Sequence, residues 1–164
     1  MAPAISFEDE LSALLPRLRR FAHGLSRNTS DADDLTQMTI ERALRAKAQW
    51  QPGSRLDSWL YKIMRNLWID TVRSRGRTDQ VEVPAEEVTN LGHDPSDGIE
   101  AAFQLRRIMH AMEQLPHEQR EVVALILIEG FGYREAAELL DLPIGTVSSR
   151  LVRGRTALFA LVGE

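Results

Sequence analysis

Between residues 78 and 102 the chain carries seven acidic residues and no lysine or arginine, and this run divides it. Pro84, Asn90, Gly92, Pro95 and Gly98 punctuate the same stretch, and no helical period passes through it. A segment of this kind reads as a charged linker, or as an ordered acidic loop lying on one domain. Either way it marks a boundary. The expected organisation is a module over residues 1–77, a flexible acidic linker over 78–99 and a second module over 100–164.

Charge differs across that boundary. The net charge of −4 argues against a simple nucleic-acid binder. Residues 1–77, however, balance to +4, residues 78–102 to −7 and residues 103–164 to −1. Each module also has a local basic run, at 73–77 and at 150–155.

Leu, Ala, Val and Ile dominate the apolar content, aromatics are only 6%, and no strand-like alternation is found. The expected fold class is therefore all-α. The chain has no cysteine, which removes disulfides, thiol catalysis and cysteine-based zinc sites. The four histidines (His23, His93, His110 and His117) lack metal-ligand spacing, so no metal site and no cofactor is expected. The longest apolar run, 122–128, falls well short of the roughly 20 residues of a membrane span, so no membrane insertion is expected. The first ten residues lack a basic region followed by an apolar one and do not read as a signal peptide. A cytoplasmic protein is the expectation.

In the first module, residues 8–25 begin with three acids and carry an apolar stripe from Leu11 to Leu25 at helical spacing. A second helix is predicted from Ser30, with Asp33 three residues on as a capping box, to about Lys47. A turn follows at 51–54, and a third helix runs from near Asp57 to about Arg75. In the second module, helices are predicted over 98–114, 117–129, 133–140 and 144–162.

Residues 133–151 have the spacing of a helix-turn-helix. Ala137 is small where the two helices would cross, Leu140 and Val147 would pin them, and Pro143 suits a first helical turn. Val147, Leu151, Leu158 and Leu161 should form its buried stripe. Ser149, Val152, Arg153 and Thr156 lie on another side and would face a major groove. A helical hairpin with an Arg-rich exposed face is the plainer explanation. Three arginines and no acid within 143–160, in a net acidic chain, favour the DNA reading. Asp141 occupies the usual turn-glycine position, and Asp is one of the few other residues that tolerate positive φ.

The third helix carries a second stripe: Trp59, Lys62, Asn66, Ile69 and Arg73. Rings stack on bases, cations track phosphates and amides read base edges, so this mixture suits single-stranded DNA. Trp50 and the Ser54, Arg55, Leu56 turn lie beside the helix start and could shape a pocket for an unstacked base. Core packing is the plainer role for Trp50, Trp59 and Trp68, and at least two of the three are expected to be mostly structural. The acids of 31–37 favour a helix N-terminus, and the edge they form with Gln37 could also dock a basic partner surface.

Four segments, DADDLTQ (31–37), RLDSWLYKIMRNL (55–67), LPHEQREV (115–122) and the helix-turn-helix at 133–155, follow in an order that resembles the extracytoplasmic-function sigma factors of the sigma-70 family. The resemblance covers about residues 8–77 and 100–161. It implies that the first module is a three-helix sigma domain 2 and the second a sigma domain 4. Asp31, Asp34, Leu35 and Gln37 would then dock on the β′ clamp helices of core RNA polymerase. Trp50, Ser54, Arg55, Leu56, Trp59, Lys62, Arg65, Asn66 and Arg73 would open and hold the −10 promoter element. Arg134, Thr146, Ser148, Ser149, Arg150, Val152 and Arg153 would read the −35 element as duplex. The β flap and an anti-sigma factor complete the implied partners, and the protein would be nucleoid-associated when active. The implied function is an alternative sigma factor, a transcription-initiation subunit with no catalytic site of its own.

The chain departs from the family pattern at two recognition-helix positions. Ser148 stands where a basic residue is common, and Val152 where an aromatic residue or His is common. Fewer cations mean a flatter salt dependence of DNA binding. A stand-alone helix-turn-helix regulator would explain 133–155 but not the third-helix stripe. A sigma mimic would require a receiver domain, for which the chain has no room.

Overall fold

A computed structural model describes residues 3–77 and 98–163. The chain divides into two compact units, one on each side of residue 84. Among the described residues all regular structure is helical. The all-α expectation and the two helical domains are both borne out. The greater part of the expected linker, residues 78–97, lies outside the described residues.

The first unit is a three-helix bundle of α1 (Phe7–Leu25), α2 (Thr29–Arg45) and α3 (Leu56–Arg77). Each helix packs on the other two. Helix α1 starts where the Ser6 hydroxyl accepts the Asp9 amide at 3.1 Å, with Glu8, Asp9 and Glu10 in its first turn. Its stripe (Leu11, Leu18, Phe21, Ala22 and Leu25) is buried. Each large apolar side chain so buried contributes on the order of 1.5–3 kcal/mol. Phe21 meets the Tyr61 ring of α3 edge-on at 4.7 Å. The cap of α2 is Asn28, not Ser30. Its side chain accepts the Asp31 amide at 2.7 Å, so the cap lies two residues earlier than the capping-box pattern indicated. Helix α2 closes at Arg45, and the chain continues through a single 3-10 turn, Lys47–Gln49.

The second unit holds α4 (Gly98–Gln114), α5 (His117–Val123), α6 (Tyr133–Leu140) and α7 (Ile144–Val162). Helix α4 begins at Gly98, where the apolar period predicted it, two residues ahead of the module boundary placed at 100. Helix α5 widens into a π turn over Ala124–Ile128, and Gly130 at φ 76° ends the run. Helix α7 is the centre of the unit and packs on α4, α5 and α6. Its buried positions are Val147, Leu151 and Gly154. The expected stripe fails beyond that point, with Leu158 half-buried and Leu161 42% exposed. Gly154 continues the seam because α5 lies too close there for a side chain. A Cβ on it would stand 2.7 Å from Val123 Cγ2 and 3.2 Å from Gln119 Cβ.

Candidate nucleic-acid interface

In α3 the polar members of the stripe separate from the core, whereas Trp59 and Ile69 lie partly against it. Leu56, Leu60, Tyr61, Met64, Leu67 and Trp68 face the bundle. Lys62, Asn66 and Arg73 are exposed, while Trp59, Arg65 and Ile69 are half-buried. The turn before the helix holds its shape through Gly53 at φ 90° and through the Ser54 amide and hydroxyl, which both donate to the Gln51 carbonyl at 3.1 and 2.6 Å. Only glycine adopts such a φ without strain. Gln51, Pro52, Gly53, Ser54 and Arg55 are all exposed.

Arg55 donates to both oxygens of Asp57, at 3.2 and 2.9 Å, and Arg17 of α1 reaches the same carboxylate at 3.4 Å. Burial raises the Asp57 pKa, but the bonds from Arg55 and the Ser58 amide outweigh it and hold the carboxyl below its ordinary value. The Arg55 side chain remains 54% exposed. Leu56 is 4% exposed, which corrects its assignment as a DNA contact: it anchors the loop in the core. Trp50 is half-buried, and its Nε1 is buried with no hydrogen-bond partner among the described residues. Trp68 is a core residue, with Arg75 stacked 5.8 Å over its ring.

The expected docking edge on α2 divides in two. Asp34 and Gln37 are exposed. Leu35 is 2% exposed and belongs to the core, because it shares the inward face with Ala32 and Thr39. Asp31 is engaged within the bundle. Arg75, at the end of α3, donates to both its oxygens at 2.7 and 2.5 Å. The Arg75 bond is the largest of the effects that lower the Asp31 pKa, with a smaller one from Asn28. Met38 and Leu44, 41% and 47% exposed, flank Asp34 and Gln37 on the outer face. Sequence reading passed over both, although their helical spacing from Asp34 and Gln37 was a usable signal.

In the second unit, Asp141 ends α6 in the left-handed conformation, φ 53° and ψ 45°, and the Leu142 amide closes the turn onto the Ala137 carbonyl at 3.0 Å. Leu140 and Val147 are buried against this turn. Ser148, Ser149, Val152, Arg153 and Thr156 of α7 are exposed, as is Arg134 of α6, and Thr146 is half-buried. The exposed face carries no acid. Arg150 points elsewhere. It is half-buried, beside the buried seam of α7 and 3.8 Å from the exposed carboxylate of Glu118 of α5. Among the described residues no group of three or more His, Asp or Glu side chains could hold a metal ion, and no helix is long and apolar enough to cross a membrane.

Residues 11–78 match the Sigma-70 region 2 family and residues 105–158 the Sigma-70, region 4 family. The ECF RNA polymerase sigma factor EcfG of Rhodopseudomonas palustris is 38% identical over 157 residues, 96% of this chain and 85% of the relative. The chain belongs to the extracytoplasmic-function RNA polymerase sigma factors. The family extends across its length: the sigma factor CarQ of Myxococcus xanthus is 30% identical over 97% of this chain and 90% of its own. The sigma factor RpoE of Bartonella quintana, solved in complex with the anti-sigma factor NepR, superposes with a TM-score of 0.82 at 34% identity, covering 96% of both chains. The two stripes thus lie one in each matched region of a sigma factor, that is, of a transcription-initiation subunit. The α3 stripe falls within region 2 and the α7 face within region 4.

Proposed function

We propose that this sigma factor brings core RNA polymerase to its promoters through two DNA contacts of different kinds. Residues 1–77 hold the melted −10 element, residues 100–164 read the −35 element as duplex, and residues 78–99 connect the two. The α3 stripe carries the reading: Lys62, Asn66 and Arg73 project from the helix face opposite its buried Leu60 and Met64, with the half-buried Trp59 at the edge of that face. A ring, two cations and an amide on one open face are suited to unstacked bases and their phosphates. The loop side chains Trp50, Ser54 and Arg55 extend this surface, and Arg65 adds charge beside it.

On α7, Ser149, Val152 and Arg153 enter the major groove, with Ser148, Thr146 and Arg134 at its edges. Arg150 joins them only if it leaves Glu118. Asp34 and Gln37, with the apolar Met38 and Leu44, form the docking edge for the β′ clamp helices, and region 4 meets the β flap. Asp31 and Leu35 support that edge from within. An anti-sigma factor holds the protein inactive by covering the polymerase-binding faces, a reading supported by the RpoE–NepR complex of a relative that matches along almost its full length. The protein works in the cytoplasm and reaches the nucleoid when active.

The net charge of −4 gives the free chain little attraction for DNA, so specificity belongs to the assembly with polymerase. Binding of a fluorescent promoter duplex, measured with and without core polymerase, tests this. Specific binding is expected only with polymerase present. Tight, sequence-specific binding by the chain alone would favour a stand-alone helix-turn-helix regulator instead.

A further inference from the structure

The loop between α2 and α3 is fastened at both ends by the first turn of α1. Phe7 is 5% exposed, and its ring lies 5.4 Å from that of Trp50, before the loop, and 6.2 Å from that of Trp59, after it. Both contacts are tilted or edge-on, the geometries that aromatic pairs favour. Lys47, three residues ahead of Trp50, pairs with Glu8 and stands 5.6 Å over the Phe7 ring. The Ser6 cap sets the direction of this turn. The indole nitrogen of Trp50 finds no hydrogen-bond partner among the described residues. The orientation of that ring therefore depends on packing, and Phe7 is the aromatic ring beside it.

We propose that Phe7 is a positioning residue for promoter opening, a wedge that fixes Trp50 and Trp59 on either side of the exposed loop 51–55 so that a separated base meets a preformed surface. The inference rests on the −10 reading above. Strand separation requires the melted bases to be bound more favourably than the duplex. A loop that must be ordered on contact gives up part of that difference, and a loop ordered beforehand keeps it. Phe7 touches no DNA on this account. It acts through the two tryptophans.

Duplex and pre-melted templates distinguish positioning from folding. Open-complex formation by holoenzyme is measured on a linear promoter and on the same promoter with a mismatched −10 bubble, alongside thermal denaturation of each variant. Phe7→Ala should slow opening of the duplex about tenfold, a size that two lost ring contacts can produce, with much less effect on the bubble. Phe7→Leu keeps an apolar side chain at the cap and should show a smaller deficit of the same kind, and Phe7→Tyr should restore opening. Should Phe7→Ala fail to fold, Phe7→Leu decides. An equal loss on both templates, or no loss on either, overturns the proposal. Asn66→Ala is the control for the reading beneath it. If Asn66→Ala opens the duplex as the unsubstituted protein does, the −10 assignment fails. If it is impaired while the Phe7 variants are not, only the wedge fails.

Discussion

Replacing Gly154 with Ala sets two effects of known sign against each other. Gly154 lies mid-way along α7, where an Ala is intrinsically favoured over Gly by about 1 kcal/mol. Propensity alone would make the variant more stable. The added methyl, however, would stand 2.7 Å from Val123 Cγ2, 3.2 Å from Gln119 Cβ and 3.4 Å from the Gln119 carbonyl oxygen. Val123 is fully buried and β-branched, so it has no free rotamer to retreat into. Relief then requires α5 and α7 to part, which loosens Val147 and Leu151 in the same seam. Overpacking of this kind costs about 1–3 kcal/mol, and where the neighbour is this rigid the upper half of that range applies. The net expectation is a loss of about 1–2 kcal/mol, or roughly 5–15 °C in the melting of a unit this small. Gly145 supplies the internal control. It lies in the same helix at ordinary φ, and a Cβ there meets nothing within 4 Å. Gly145→Ala should therefore leave the midpoint unchanged or raise it. Urea and thermal denaturation followed by circular dichroism, fitted for two transitions, would measure both variants. A Gly154→Ala midpoint equal to or above that of the unsubstituted chain would refute the argument that α5–α7 contact excludes a side chain here.

Further outcomes follow from other residues. Asp141→Ala should destabilise the second unit by about 1 kcal/mol through its left-handed backbone, whereas Asp141→Gly should be neutral or stabilising; equal midpoints for the two would show that the turn carries no strain. Asp31 has a depressed folded pKa, so its contribution is fully present above its unfolded value near 3.9 and is lost as pH falls through the lower folded value. Asp31→Asn should therefore be less stable than the unsubstituted protein at pH 7, and that gap should close as pH drops below about 4 in urea titrations; a gap independent of pH would contradict the Arg75 pairing. Arg153→Ala should weaken holoenzyme binding to promoters carrying the −35 element by about 1–3 kcal/mol if the side chain reads a base, and should otherwise lower the salt slope by about one unit. Unchanged affinity and an unchanged slope would remove Arg153 from the interface.

Much of this architecture was legible because helical spacing repeats over many residues. The bounds of α4, α6 and α7 follow from their apolar periods and from Pro116, Gly132 and Pro143 beside them. The family, too, was recognisable from four short segments in order. What sequence reading mistook was decided by contacts between distant positions or by a face one residue away. Leu35 and Leu56 lie within functional segments yet point inward, since neighbouring helical positions diverge by about 100°. Asp31 looked like a free acid because its partner, Arg75, is 44 residues away. Arg150 counted among the recognition cations until Glu118 of another helix was found beside it. A glycine inside a helix reads as a weak point, and only the approach of Val123 shows Gly154 to be a contact surface. Phe7 escaped notice because the apolar stripe of α1 was counted from Leu11, beyond the turn that carries the ring. Asn28 and Ser30 are both good caps, and the Asn28–Asp31 bond decides between them.

Whether this chain gives core RNA polymerase its choice of promoter is decided by transcription in vitro with core polymerase, over a library of promoter fragments with the 5′ ends of the transcripts mapped. Starts are expected at defined positions downstream of a shared pair of elements, present only when the chain is added and reduced by Asn66→Ala and by Arg153→Ala. Transcripts that start at the same positions without the chain, or no position-specific start from any fragment with it, would contradict the claim.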